Sequence, residues 1–208
     1  RRGQNLVMQA QARQLIPYMA DAVPGWFQAT LALYDAKGNE VAFADDYQID
    51  PDPVMVCAIP RDGVYTVEIR DAIFRGREDF VYRLSVGELP FVTSMFPLGG
   101  SVGENSIVTL IGWNLPSNHI KLDTSPGMKS VRATSIMRPG GWSNTLLYEV
   151  SEFPDKTETE PNNDLVKAQP LSLPIAVNGR IQTGSDSDVF KIQGRAGEEV
   201  VAEVVARR

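Results

Sequence analysis

The residues best suited to chemistry lie close together near the end of the sequence. TETEPNND places Glu158, Glu160, Asn162, Asn163 and Asp164 in one short stretch, and GSDSDVF adds Asp186 and Asp188. Hard Ca²⁺ takes about six to eight oxygen ligands from carboxylates, amides and carbonyls. The stretch therefore has the donors for calcium, with Asp186 and Asp188 available to complete the shell. A solvated acidic linker would have the same composition. Asp45 and Asp46 follow a strand-like run and read as hydrated surface.

Nucleophilic chemistry is less well provided for. Gly99-Gly100-Ser101-Val102-Gly103 matches the G-x-S-x-G string, but that motif needs a strand-to-helix elbow, and the following ENSIVTLIG reads as strand. His119 is the one histidine, so a Ser-His-Asp or Cys-His site would rest on it alone. No carboxylate pair stands in a pattern that separates an acid from a base, and zincin and Walker-type strings are absent. Cys57 is the single cysteine and lies in the apolar run VMVCAI, which makes it a small buried hydrophobe. Catalytic residues are expected to be none. Among the aromatic residues, Trp26 and Phe27 follow Pro24-Gly25 and are candidate ligand anchors on a loop over a sandwich edge, whereas Trp113, inside a strand-like run, is expected in a core.

These side chains need a scaffold, and the sequence describes an all-β one. Its 208 residues are 43% hydrophobic and 22% charged, the balance of a folding globular chain. The net charge of −6, with no basic cluster, argues against nucleic acid. No apolar run approaches the roughly 18–20 residues that span a bilayer as a helix. Period-two alternation dominates. In the first run Leu6, Met8, Ala10 and Ala12 face inward and Gln9, Gln11 and Arg13 outward. Two hairpins follow: 29–35 with 40–46 around Ala36-Lys37-Gly38-Asn39, and 54–59 with 64–71 around Pro60-Arg61-Asp62-Gly63. A further strand ends at Pro90. The segment 91–153 opens a separate β unit punctuated by Gly99, Gly100, Gly103 and Gly112. Strand-like runs resume at 173–181, 188–192 and 198–208.

The sequence also repeats itself. RRGQNLVMQAQARQ, from Arg1, resembles RAGEEVVAEVVARR, from Arg195; Arg1, Gly3, Val7, Ala12 and Arg13 recur as Arg195, Gly197, Val201, Ala206 and Arg207. The chain thus begins inside one copy of a domain and stops inside the next.

These runs resemble the pre-peptidase C-terminal (PPC) domain of exported bacterial proteins. Residues 1–90 resemble its later part, with LALYD, EVAFADD and AIPRDGVYTVEIRD, and 154–208 its opening, with TETEPNND, VNGRI and SDSDVF. The resemblance implies antiparallel β-sandwich or jelly-roll modules. Collagen-binding relatives in secreted collagenases hold calcium with an equivalent segment, which carries over to Glu158, Glu160, Asn162, Asn163, Asp186 and Asp188. Asn163 stands where those relatives have aspartate, with Asp164 beside it to compensate. Residues 91–153 are similar to the IPT/TIG class of immunoglobulin-like modules through Pro90, Pro97, Gly99, Gly100, Gly112, Asn114 and Leu115.

The resemblance implies a non-catalytic, extracytoplasmic array that acts as spacer, adhesion or substrate-presenting region of a larger exported protein. The alternative it implies is an accessory domain that binds carbohydrate or collagen-like protein beside a secreted hydrolase. Expected partners are a protein or polysaccharide ligand and other domains of the parent, with no nucleic acid and no membrane span in this chain. Because the two partial domains are complementary, the strands of 173–192 are expected to pack on the 1–90 half, within one chain or in a strand-swapped dimer.

Overall fold

The computed structural model describes residues 1–15 and 26–206. The chain is all-β. Its first strands are β1 (Asn5–Gln11), β2 (Ala29–Tyr34), β3 (Glu40–Ala44), β4 (Val54–Ala58), β5 (Thr66–Asp71) and β6 (Arg83–Gly87). They are followed by β7 (Phe91–Phe96), β8 (Gly99–Ser101), β9 (Ile107–Trp113), β10 (His119–Lys121), β11 (Val131–Thr134), β12 (Met137–Arg138) and β13 (Gly141–Trp142). The last are β14 (Leu146–Ser151), β15 (Asp155–Thr157), β16 (Gln169–Leu171), β17 (Ala176–Asn178) and β18 (Phe190–Ile192). Helix among the described residues is limited to a 3-10 turn at Arg13–Leu15, and no helix is long and apolar enough to cross a membrane.

Two compact units emerge. The first comprises 1–91 with 113–116 and 137–143; the second comprises 92–112, 117–136 and 144–208. In the first unit, two antiparallel sheets of order β4-β1-β6 and β3-β2-β5 enclose one core. Met8, Ala10 and Ala12 enter it from the β1 side, Ala29, Leu31 and Leu33 from β2, and Met55 from β4. The alternation read from the sequence sets this register, since a slip of one residue would turn Met8 outward. Val7, on the opposite face of β1, is also buried. Past the end of β1, the buried carboxylate of Asp52 accepts the N–H groups of Ala12, Arg13 and Gln14, each at 2.9 Å. It thereby turns the chain out of the strand. Gly38 is left-handed (φ 80°) in the turn between β2 and β3, as expected for that hairpin. The small β12–β13 hairpin also belongs to this unit.

The second unit contains the sheets β10-β9-β7 and β11-β14-β8. Alternation is clean here: Val108 and Leu110 of β9, and Leu146, Tyr148 and Val150 of β14, are buried, while the residues between them are exposed. Buried Arg132 satisfies its guanidinium on the carbonyls of Lys129, Asp123 and Ser125 at 2.7–2.9 Å. Two short ladders follow, β15 with β17 and β16 with β18.

The structure departs from the sequence reading in several places. The ladders β14–β8, β15–β17 and β16–β18 are parallel, although the long pairings are antiparallel. β17 and β18 find their partners in β15 and β16. Residues 198–206, the described part of the run read as strand over 198–208, carry no strand: β propensity describes fit to a neighbouring strand, and none adjoins them in the ladders among the described residues. Trp113 ends β9 at 43% exposure rather than in a core, because the alternation of β9 points it outward with Thr109 and Ile111.

Candidate metal centre

The second unit gathers three of the acidic residues singled out above. Glu158 leaves the end of β15, where its N–H donates to the carbonyl of Asn178, the last residue of β17, at 2.9 Å. Asp188 lies just before β18, whose ladder with β16 continues through Gln169 N–H to the carbonyl of Val189 at 2.9 Å. Between the two ladders, Val189 N–H donates to the carbonyl of Asn162 at 3.0 Å, and Asn162 N–H donates to Glu160 Oε2 at 3.0 Å. The TETEPNND loop is thus pinned against the segment that carries Asp188. One carboxylate oxygen from each of Glu158, Glu160 and Asp188 lies within 4.8 Å of the other two.

That spacing suits one hard cation. Oxygens on opposite sides of Ca²⁺, each about 2.3–2.6 Å from it, are separated by roughly 5 Å. Three further observations bear on the fit. Glu158 Oε2 and Asp188 Oδ1 are buried without a hydrogen-bond partner, and so are both polar atoms of the Asn162 side chain, which is fully enclosed. Buried polar groups are nearly always partnered, so the two carboxylate oxygens, both from residues of the cluster, call for a missing partner. Gly179 leaves the space open: a Cβ there would lie 2.7 Å from Glu158 Oε2 and 3.0 Å from Asp188 Oδ2. Burial, together with the charges of Asp188 and Glu160, pushes the Glu158 carboxyl above its ordinary range, while Arg180 N–H, 2.5 Å from Glu158 Oε1, works the other way. Crowded carboxylates of this kind repel one another, and a bound dication reverses the sign of that interaction.

The remaining candidates fall outside the trio. Asn163 is exposed. Asp164 accepts the N–H groups of Val166 and Lys167 at 2.9 Å and shapes the next turn. Asp186 accepts Ser187 N–H at 3.0 Å and Gln182 N–H, so its oxygens build the loop before Asp188. Gly179 is the residue that sequence reading missed; its only signal was a glycine within VNGRI.

Of the aromatic residues considered for binding, the adjacent pair serves packing. Trp26 and Phe27, read as anchors on an exposed loop, are buried at 7% and 4% exposure and pack on Phe80 with ring centroids 5.1 and 5.4 Å away. The physical reason is the apolar core that they close; Pro24 and Gly25 before them lie outside the described residues. Trp142 is 65% exposed. Ser101 Oγ donates to the carbonyl of Phe153 at 3.0 Å, and His119 Nδ1 lies 2.7 Å from Asn118 Oδ1. Burial pushes the Cys57 thiol up, away from thiolate reactivity. No known protein family, curated protein or solved structure matches the chain.

Proposed function

We propose that the chain is a calcium-stabilised, non-catalytic pair of β modules from a larger extracytoplasmic bacterial protein, serving as spacer, adhesion or substrate-presenting region. The observation that carries this reading is the convergence of Glu158, Glu160 and Asp188, with Glu158 Oε2 and Asp188 Oδ1 buried and without a hydrogen-bond partner. Glu158, Glu160 and Asp188 would hold the ion. Calcium here ties together β15, the TETEPNND loop and the approach to β18, elements too short to be stable by pairing alone. The sandwich pattern of the first unit and its likeness to PPC domains support an accessory rather than a catalytic role.

Calorimetric titration and thermal unfolding test the reading. Calcium at about 100 times its dissociation constant should stabilise the fold by roughly 2.7 kcal/mol over chelator-treated protein. Glu160→Gln removes one charged ligand and should abolish the shift. Gly179→Ala leaves every donor in place but fills the space between Glu158 and Asp188, so it should weaken binding strongly. Equal midpoints in calcium and chelator, with no heat of binding, would leave a plain acidic loop.

A further inference from the structure

Asn178, Gly179 and Arg180 all lie against Glu158. The carbonyl of Asn178 accepts Glu158 N–H at 2.9 Å, Arg180 N–H donates to Glu158 Oε1 at 2.5 Å, and a Cβ on Gly179 would stand 2.7 Å from Glu158 Oε2. On the side of 178–180 these contacts are made by backbone. The side chains of the same segment are engaged elsewhere, on the connection between β7 and β8. Asn178 Oδ1 accepts Leu98 N–H at 2.8 Å, and Asn178 Nδ2 donates to Asp155 Oδ1 at 2.8 Å. The Arg180 guanidinium lies over the ring of Phe96, 3.9 Å from its centroid. The Leu98 carbonyl accepts Glu149 N–H at 3.0 Å, which carries the network into β14.

Two features make this segment sensitive to the metal centre. β17 is joined to β15 by three residue pairs in a parallel ladder, too little pairing to hold it alone. Glu158 stands among carboxylates that repel it until a cation is bound. Without the cation Glu158 is pushed away from Glu160 and Asp188, and whatever moves its N–H and Oε1 also moves Asn178 and Arg180. A bound cation draws Glu158 inward and keeps both residues where their side chains meet Leu98 and Phe96.

We propose that Asn178 and Arg180 are positioning residues that couple the metal centre to the β7–β8 connection, so that a bound cation fastens the 154–192 segment onto the sheets of 92–151. This coupling rests on the reading of Glu158, Glu160 and Asp188 as a cation site. Asn178 directs its amide to Leu98 and Asp155, and Arg180 has no acceptor atom in its side chain, so both act on the cation through Glu158. The cation needs no contact with residues 96–98. It needs only a higher affinity for the fastened state than for the loosened one. Coupling of this kind is reciprocal: if the cation suppresses opening of the Leu98 contact, breaking that contact weakens cation binding by the same factor.

The full chain is tested with Ca²⁺ as the probe, by titration calorimetry and by amide hydrogen exchange read by NMR. Saturating Ca²⁺ should slow exchange at Leu98 N–H by roughly tenfold more than at Leu122 N–H, which donates to the Ser106 carbonyl at 2.9 Å in the same unit and reports general stabilisation. Asn178→Ala keeps the carbonyl that holds Glu158 but removes the acceptor for Leu98 and the donor to Asp155. It should weaken Ca²⁺ binding by about the same tenfold factor and remove the extra slowing at Leu98. Phe96→Leu is an independent check, because it keeps apolar bulk and removes only the ring beneath Arg180; it should weaken binding in the same direction. Absence of any Ca²⁺ binding by the parent chain would overturn the cation site and the coupling together. Ca²⁺ binding with equal slowing at Leu98 and Leu122, or with parent affinity in both variants, would overturn the coupling and leave the metal centre standing.

Discussion

Asp71→Ala should destabilise the first unit by about 3 kcal/mol or more, because three backbone N–H donors lose their acceptor and each buried donor left unsatisfied costs about 1–3 kcal/mol. The Asp71 carboxylate is completely buried and contacts Arg75 Nε and Nη2, both at 3.0 Å. It also accepts the backbone N–H groups of Gln28, Ile73 and Arg75 at 3.1–3.2 Å. Arg75 in turn donates to the carbonyl of Trp26 at 2.9 Å, so one carboxylate joins the end of β5 to the entry of β2. Alanine would leave a partly exposed guanidinium without its counter-charge and three N–H donors without an acceptor. Replacing both members of the pair, Asp71→Leu with Arg75→Met, should cost less than Asp71→Ala alone. All three tryptophans lie in this unit, so fluorescence-monitored urea unfolding reports it directly.

The same pair sets an acid limit. The Arg75 guanidinium, with help from the backbone donors, holds the Asp71 carboxyl well below the usual carboxylate range despite its burial. A folded-state value below the unfolded value of about 3.9 means that the unfolded chain binds more protons in between. The contribution is therefore complete above about pH 5 and declines as pH falls further, through the unfolded and then the folded-state value. The stability difference between the parent and Asp71→Ala should shrink between pH 5 and roughly pH 2. A constant difference over that range would mean that the carboxylate charge contributes nothing.

How far the sequence disclosed all this depended on the distance over which each signal acts. The inward face of β1 and the β2–β3 hairpin were legible because alternation and turn chemistry are local. The turn at 60–63, read as closing a second hairpin, instead carries the chain from β4, which pairs with β1, to β5, which pairs with β2 in the other sheet. The trio of Glu158, Glu160 and Asp188 was legible only within a longer roll of acidic and amide residues. Composition offers donors, but the turn that occupies Asp164 and the loop that occupies Asp186 decide which remain available. The exposure of Trp142 and the burial of Trp26 depend on which strand turns which way, and nothing near them in sequence states it. Residues 199–206 show the opposite failure: the local signal for strand is strong, but a strand exists only where another chain segment receives it.

Gly99→Ala should be the most damaging small substitution in the second unit, at roughly 3 kcal/mol or more, at or above the upper end for overpacking. β8 runs parallel to β14 with Gly99 opposite Glu149, and a Cβ on Gly99 would stand 1.9 Å from the Glu149 carbonyl oxygen and 2.9 Å from its carbon. Both are backbone atoms, so no rotamer change relieves the clash. The strands would have to part, breaking the bond from Glu149 N–H to the carbonyl of Leu98 at 3.0 Å. Gly103→Ala is the control. Gly103 is left-handed (φ 78°) but has open space around its Cβ position, so only the backbone penalty of about 1–2 kcal/mol applies. Ser101→Ala removes one exposed hydrogen bond to Phe153 and should change stability by about 1 kcal/mol or less. Calorimetry, with hydrogen exchange at the amides of Glu149 and Val150, measures the series. The expected order explains the G-x-S-x-G string as a strand pressed against its neighbour, in which the first glycine matters most and the serine least. Near-parent stability for Gly99→Ala would show that β8 does not approach β14 this closely.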